Sequence, residues 1–214
     1  MQLTFDNGSE VELQNRIARS WRAFYKYRDL LCCRAAPWKN RLSLLNTVVR
    51  TSLFWCSGSW NLTRRQVSKL RGVQQHMQQK MLCLKRAPQE EQRNFMARLN
   101  SKIKLLNHCH QFQSWERWYY RSVLGWAGHV SRIRQYNEPR LTNQVLQFKS
   151  WACIQQVAAA NLGNQLHGRR LHTWRWEQKI YNLFPGEDWQ TKAQDKADWH
   201  QQLEQMISQS CRTR

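Results

Sequence analysis

Residues 63–88 read TRRQVSKLRGVQQHMQQKMLCLKRAP and predict one long amphipathic helix. Thr63 and Gln66 have the spacing of a capping box, which marks the start of a helix, and Pro88 is expected to stop it. Between them, apolar side chains recur every three or four residues, as on the buried face of an amphipathic helix. The predicted inward positions are Val67, Leu70, Gln74, Met77, Met81 and Leu84. The opposite face holds Arg64, Arg65, Lys69, Arg71, Lys80 and Lys85.

Two more amphipathic helices are predicted upstream. The first begins between residues 9 and 13, after Asp6-Asn7-Gly8-Ser9, whose Asn-Gly pair favours a tight turn. A competing interpretation makes Ser9 the N-cap of that helix, with Glu12 closing a capping box. The second helix begins at Pro37 and ends at Gly58. The two apolar stripes are Leu13, Ile17, Trp21, Phe24 and Leu31, and then Leu42, Leu45, Val49, Leu53 and Cys56.

Five further helices are predicted downstream, at 89–107, 115–133, 143–160, 173–183 and 191–207. Gly125 and Gly128 weaken the second of these, because glycine is a poor helix former. The chain contains only 8 Gly and 4 Pro, which disfavours the turn-rich all-β classes. We therefore expect an all-α fold, an irregular helical bundle with a short N-terminal β-turn or hairpin remnant.

The expected organisation has three parts. They are a basic helical domain at 1–87, a helical connection region at 88–160 and a C-terminal helical tail at 161–214. The predicted core consists of Trp21, Phe24, Leu45, Leu53, Leu70 and Met77.

The composition of the 214 residues indicates a polyanionic partner. Lys and Arg number 34 against 14 Asp and Glu, so the formal net charge is +20, and such a charge favours nucleic acid more than an anionic membrane. Twelve Trp and a hydrophobic fraction of 41% are not typical of a disordered basic tail. The absence of an 18-residue apolar run and of a signal-peptide pattern predicts an intracellular protein, nuclear or cytoplasmic, that is not secreted. Seven scattered Cys favour reduced thiols over a disulfide framework.

The positive charge is concentrated in the acid-free block Leu30–Gln89. These 60 residues contain 11 Lys and Arg and no Asp or Glu, and Trp38, Trp55 and Trp60 alternate with the basic side chains. Lys and Arg neutralise phosphates, and exposed aromatic rings stack on bases. The predicted nucleic-acid-binding residues are Arg34, Lys39, Arg41, Arg64, Arg65, Lys69 and Arg71.

No pattern in the sequence predicts catalysis or a cofactor. The close carboxylate pairs are Glu90-Glu91, Glu187-Asp188, Asp195 with Asp198, and Glu10 with Glu12. None lies on an apolar strand, where metal-binding carboxylates are usually placed. The segment His108-Cys109-His110 cannot direct all three side chains to one ion from a helix. We therefore expect no catalytic residue, no metal, no cofactor and no small-molecule substrate.

A set of short motifs occurs in a fixed order along most of the chain. They are Arg16-Ile17-Ala18-x-x-Trp21-x-x-Phe24, Lys39-x-Arg41-Leu42-x-Leu44, Trp60-x-Leu62-Thr63, Leu70 with Met77 and Met81-Leu82, Trp126-x-Gly128-His129-Val130-x-Arg132, Gly168-Arg169-Arg170, Trp176-Glu177, and Trp189-x-x-x-Ala193-x-Asp195-Lys196-x-x-Trp199. Together they resemble the thumb and C-terminal tail of reverse transcriptases from non-LTR (LINE-type) retrotransposons.

The resemblance implies a part of an RNA-directed DNA polymerase. Residues 13–86 would correspond to thumb helices, which hold RNA or an RNA–DNA hybrid duplex by its backbone, and Asp6-Asn7-Gly8-Ser9 to the hairpin turn that closes the palm. The catalytic aromatic-Ala-Asp-Asp signature and the earlier palm aspartate do not occur in the sequence and would lie before Met1. The expected function is template–primer binding without catalysis by this chain alone.

Two alternatives come from other functional classes. The chain could be a helical protein-interaction or structural module whose basic face meets acidic proteins. It could also be a small enzyme with an unrecognised site, in which case a primed template with Mg²⁺ or Mn²⁺ and dNTPs is the informative assay.

Overall fold

The all-α class is confirmed. The computed structural model describes residues 8–60, 62–132 and 189–212, and in these ranges 79% of residues are helical and none lies in a strand. The helices are α1 (Gly8–Lys26), α2 (Arg28–Leu31), α3 (Trp38–Leu44), α4 (Thr51–Phe54), α5 (Arg64–Leu82), α6 (Gln92–Cys109), α7 (Trp115–Arg132), α8 (Trp189–Lys192) and α9 (Lys196–Arg212). A π-helical segment, Leu45–Arg50, joins α3 to α4, and Ser57–Ser59 form one 3₁₀ turn.

The start of α1 differs from the prediction. The helix begins at Gly8, so Ser9 is a helical residue and not the N-cap. The helix therefore starts one residue before the predicted range of 9–13. Asp6 and Asn7, which would form the turn of the expected hairpin remnant, lie outside the described residues. The predicted helices at 143–160 and 173–183 lie outside them as well.

The helix predicted from Pro37 to Gly58 is not one regular helix. Pro37 has an extended backbone and precedes α3, so the helix starts at Trp38. In the π-helical segment, the Thr47 hydroxyl donates to the Ser43 carbonyl at 3.0 Å, a bond that competes with regular helical pairing. The chain leaves the helix after Phe54, and Cys56 adopts a left-handed φ of 58°. Cys56 is therefore exposed, and its predicted place in the apolar stripe was wrong.

Helix α5 begins as predicted and ends earlier. Gln66 N–H donates to Thr63 Oγ1 at 3.2 Å, and Thr63 N–H donates to Gln66 Oε1 at 2.7 Å, so the capping box is confirmed. The helix ends at Leu82 because Cys83 adopts a left-handed φ of 50° and its N–H returns to the Lys80 carbonyl. Pro88 therefore lies beyond the helix end and does not stop it.

The described residues fall into two compact units. The first lies within Met1–Ser57 and Leu62–Tyr119, and the second within Gly58–Asn61 and Tyr120–Arg214. The boundary expected at residue 87 lies inside the first unit, and the one expected at residue 160 lies outside the described residues. The three-part organisation stays a prediction.

The core of the first unit matches most of the predicted set. In this unit α1 packs against the π-helical segment and α4, and α5 packs against α6 and α1. Five of the six predicted core side chains are fully buried, namely Phe24, Leu45, Leu53, Leu70 and Met77. Each such burial contributes about 1.5–3 kcal/mol. Trp21 is only half-buried, because its ring lies at the edge of the α1–α5 contact beside Tyr25.

A buried glutamine joins α5 to the start of α7 within the first unit. Gln74 Oε1 accepts a hydrogen bond from the Trp115 N–H at 2.9 Å, and its amide nitrogen donates to the Gln113 carbonyl at 3.2 Å. A second amide pair links Gln78 to Asn107 at 2.8 Å and 3.1 Å. These bonds explain why two polar side chains on the buried face of α5 are tolerated, since both amides have partners.

The second unit is organised around the later part of α7. That helix is continuous through Gly125 and Gly128, contrary to the expectation that these glycines weaken it. Arg132 Nη1 donates to the Ala193 carbonyl at 2.6 Å, which ties α7 to the residue after α8. The helix predicted at 191–207 is divided in two, because Asp195 Oδ1 accepts the N–H groups of Ala197 and Asp198 and starts α9 anew.

Candidate nucleic-acid interface

Two of the predicted phosphate-binding arginines are bound to the C-terminal end of α5. Arg41 Nη1 donates to the Met81 carbonyl at 2.8 Å, and the guanidinium lies over the Trp38 ring at 4.8 Å. Arg34 donates to the Cys83 carbonyl. The last carbonyls of a helix lack intrahelical partners, and the helix dipole makes this end negative. A guanidinium placed there donates hydrogen bonds to the carbonyls and also brings a favourable positive charge. The sequence did not predict this capping role, because the partners lie 40 and 49 residues away.

Lys69 is paired with an acid from α1. Its Nζ lies 3.1 Å from Glu10 Oε1, and the same carboxylate accepts hydrogen bonds from Gln66 at 2.6 Å and Gln14 at 2.8 Å. Gln66 first, and then Lys69 and Gln14, lower the pKa of Glu10 from 4.5 to about 2. The pair joins the start of α1 to α5 and neutralises one charge of the predicted interface.

The other four predicted residues are exposed cations. Lys39, Arg64, Arg65 and Arg71 form no ion pair or side-chain hydrogen bond with the described part of the chain. With 3.6 residues per turn, Arg64 and Arg71 share one side of α5, whereas Arg65 faces the side of Lys69. The structure therefore places the α5 cations on two flanks, and Lys39 is on α3.

The carboxylates of the first unit are largely engaged elsewhere. Glu12 accepts from Arg16 at 2.7 Å. Glu90 accepts from Arg98 at 2.7 Å and from the Ala87 N–H at 3.2 Å, and these bonds, Arg98 first, lower the pKa of Glu90. Among the described residues, no carboxylate forms an ion pair with Arg64, Arg65 or Arg71.

The close carboxylate pairs of the sequence do not form a metal centre within the described ranges. Among those residues no three His, Cys, Asp or Glu side chains are grouped closely enough to hold an ion. Asp195 is the N-terminal cap of α9. His108, Cys109 and His110 are exposed at the end of α6, and Glu187-Asp188 lie outside the described residues.

The three tryptophans of the acid-free block have different environments. Trp38 and Trp60 are buried, so they contribute to packing. Trp55 is 68% exposed in the turn after α4. Sequence reasoning overlooked two further accessible rings, Tyr25 and His76, although Tyr25 follows Trp21 by four residues on one side of α1.

The comparisons with known proteins provide no relative. No protein-family model matches the chain, and no curated protein or solved structure is significantly similar to it. Within the described ranges, every helix is too short or too polar to cross a lipid bilayer.

Proposed function

We propose that this chain is a nucleic-acid-binding helical protein, related to the thumb and tail of non-LTR retrotransposon reverse transcriptases, that holds RNA or an RNA–DNA hybrid without polymerising. The supporting observation is a set of exposed cations that pair with no acid of the described residues, inside a block of 60 residues without Asp or Glu. They are Lys39, Arg64, Arg65 and Arg71. The support for the retroelement relationship is the ordered set of motifs.

The binding mechanism is electrostatic. Lysine and arginine side chains that neutralise phosphates release condensed counterions, and this release provides affinity without reading the base sequence. The α5 cations lie on a preformed helix, so little backbone ordering is needed on binding. Arg34 and Arg41 act indirectly, by stabilising the C-terminal end of that helix.

A salt titration tests the proposal. The full chain is titrated with a fluorescein-labelled RNA–DNA hybrid at 50–200 mM salt, and anisotropy reports the affinity. We expect a log–log slope of roughly −3 to −4, because the four exposed cations would neutralise about four phosphates. A flat titration, or no binding at the lowest salt, would refute the proposal.

Charge variants separate binding residues from structural ones. Arg64→Ala, Arg65→Ala and Arg71→Ala should each reduce the magnitude of the salt slope by roughly 1 and leave the unfolding midpoint unchanged. Lys104→Ala, an exposed lysine on α6 outside the acid-free block, is the matched control and should retain the slope. Arg41→Ala should instead lower stability, because it removes the bond to Met81.

Two further assays address the other functional classes. If the chain is an interaction module for acidic proteins, heparin and poly-glutamate will displace the hybrid as well as unlabelled hybrid does at equal charge. A primed template with dNTPs and Mg²⁺ or Mn²⁺ should show no extension, and extension would contradict the expected lack of catalysis.

A further inference from the structure

A cluster of aromatic rings is accessible where α1 runs beside α5 in the first unit. Tyr25 stacks on Trp21 with ring centroids 5.8 Å apart and planes at 30°. His76 meets Trp21 edge-on, with centroids 5.2 Å apart and planes at 72°. Tyr25 is 52% exposed and His76 is exposed. The cluster therefore presents ring surface to solvent, while Phe24 beneath it is fully buried.

The side of α5 next to this cluster is exposed and carries Arg65, and Lys69 on the same side is paired with Glu10. Gly72 precedes His76 by one helical turn, and a Cβ built on it would meet no atom of the described residues within 4 Å. Glycine is unfavourable inside a helix, but without a side chain it allows close approach to the backbone. Arg65, Lys69, Gly72 and His76 follow each other at intervals of four, three and four residues, so they lie along one side of the helix.

We infer that Trp21, Tyr25 and His76 form a stacking site for an unpaired base of a single nucleic-acid strand whose phosphates meet the Arg65 side of α5. The inference rests on the proposed function. Aromatic rings stack on the faces of all four bases, and neighbouring cations bind the backbone that connects them. An acidic protein would form ion pairs with the cations, but it has no bases to stack on the aromatic rings.

The spacing of the site predicts the length of the ligand. Arg65 and His76 are eleven residues apart, which is about 16 Å along a helix. A strand that keeps the stacked rise of a duplex, about 3.4 Å per nucleotide, covers this distance in about five nucleotides. We therefore expect a single-stranded RNA 12-mer to bind and a dinucleotide to compete weakly.

The test compares ring variants on two ligands. Affinities are measured by anisotropy for a single-stranded RNA 12-mer and a blunt 12-bp RNA–DNA hybrid at one salt concentration. Tyr25→Ala should weaken single-strand binding by about 5- to 150-fold, the effect of losing one base stack, and change hybrid binding less than twofold. Tyr25→Phe keeps the ring and should bind like the wild type. Val11→Ala, an apolar residue of α1 that is 44% exposed, is the matched control.

The outcomes distinguish the stacking site from the proposed function. If Tyr25→Ala binds the single strand as tightly as the wild type while Arg65→Ala weakens both ligands, the stacking site is wrong and nucleic-acid binding stands. If Tyr25→Phe is as weak as Tyr25→Ala, the ring is not the determinant and the inference fails. If the wild type binds neither ligand, both proposals fail. Tyr25 is half exposed, so circular dichroism of each variant should match the wild type.

Discussion

The indole of Trp199 occupies the space that a side chain on residue 128 would need. An ideal Cβ on Gly128 would lie 2.6 Å from Trp199 Cδ1, far inside contact distance. The indole cannot move away easily, because Trp199 is fully buried and its Nε1 donates to the Leu124 carbonyl at 3.2 Å. Gly128 is therefore required for α9 to pack on α7 within the second unit.

This contact predicts opposite effects for two glycines of one helix. Gly128→Ala should destabilise the protein by about 1–3 kcal/mol through overpacking. Gly125→Ala should stabilise it by roughly 0.5–1 kcal/mol, because no atom of the described residues lies within 4 Å of a Cβ there and alanine favours the helix. Urea unfolding measures the stability of both variants. Equal unfolding midpoints for the two would contradict the close packing of Trp199 on Gly128.

The capping box of α5 predicts a specific rescue. Thr63→Ala removes the acceptor for the Gln66 N–H and should lower stability by about 1 kcal/mol. Thr63→Ser keeps a hydroxyl at the N-cap and should restore most of the loss. Thermal unfolding of the two variants checks this, and a Ser variant as unstable as the Ala variant would assign the effect to packing of the threonine methyl group.

The Glu10 carboxylate predicts a pH-dependent contribution to stability. Its pKa is lowered from 4.5 to about 2, so the unfolded chain binds the proton first as the pH falls. The stabilisation is complete above pH 4.5 and is lost between pH 4.5 and about 2. The wild type should therefore be more stable than Glu10→Gln above this window, and the difference should close within it.

Urea unfolding at several pH values measures that difference for Glu10→Gln. The control is Glu91→Gln, since Glu91 makes no side-chain capping bond at the start of α6. A Glu10→Gln difference that persists unchanged at pH 2 would contradict the ionic origin of the effect.

The thiol of Cys32 should react slowly. Burial, and then the neighbouring Cys83 thiol, raise the pKa of Cys32, and both sulfurs lie near the Lys80 carbonyl oxygen, at 3.6 Å and 3.1 Å. Because thiolates are the reactive form, iodoacetamide at pH 8 should modify Cys32 several-fold more slowly than the exposed Cys109. Peptide mapping over time measures both rates, and their ratio should approach one in urea. Equal alkylation rates for Cys32 and Cys109 in the native protein would contradict this prediction.

Local patterns in the sequence determined most of the helical structure. The α5 start depends on Thr63 and Gln66, three residues apart, and the buried positions follow from spacings of three and four. Such signals act within one or two turns and therefore survive without knowledge of the fold. Burial of Phe24, Leu45 and Leu70 could be predicted for this reason.

Which of these local features contact one another depends on the tertiary structure. Arg41 caps α5 through Met81, 40 residues away, and Gly128 makes room for Trp199, 71 residues further along the chain. The half-exposure of Trp21 depends on the position of His76 on another helix. These relationships depend on how the faces of separate helices are paired, and helical periodicity contains no information about that pairing. The position of the positive charge along the chain follows from the sequence. The tertiary structure shows that Arg34 and Arg41 bond to the end of α5, whereas the α5 arginines are exposed.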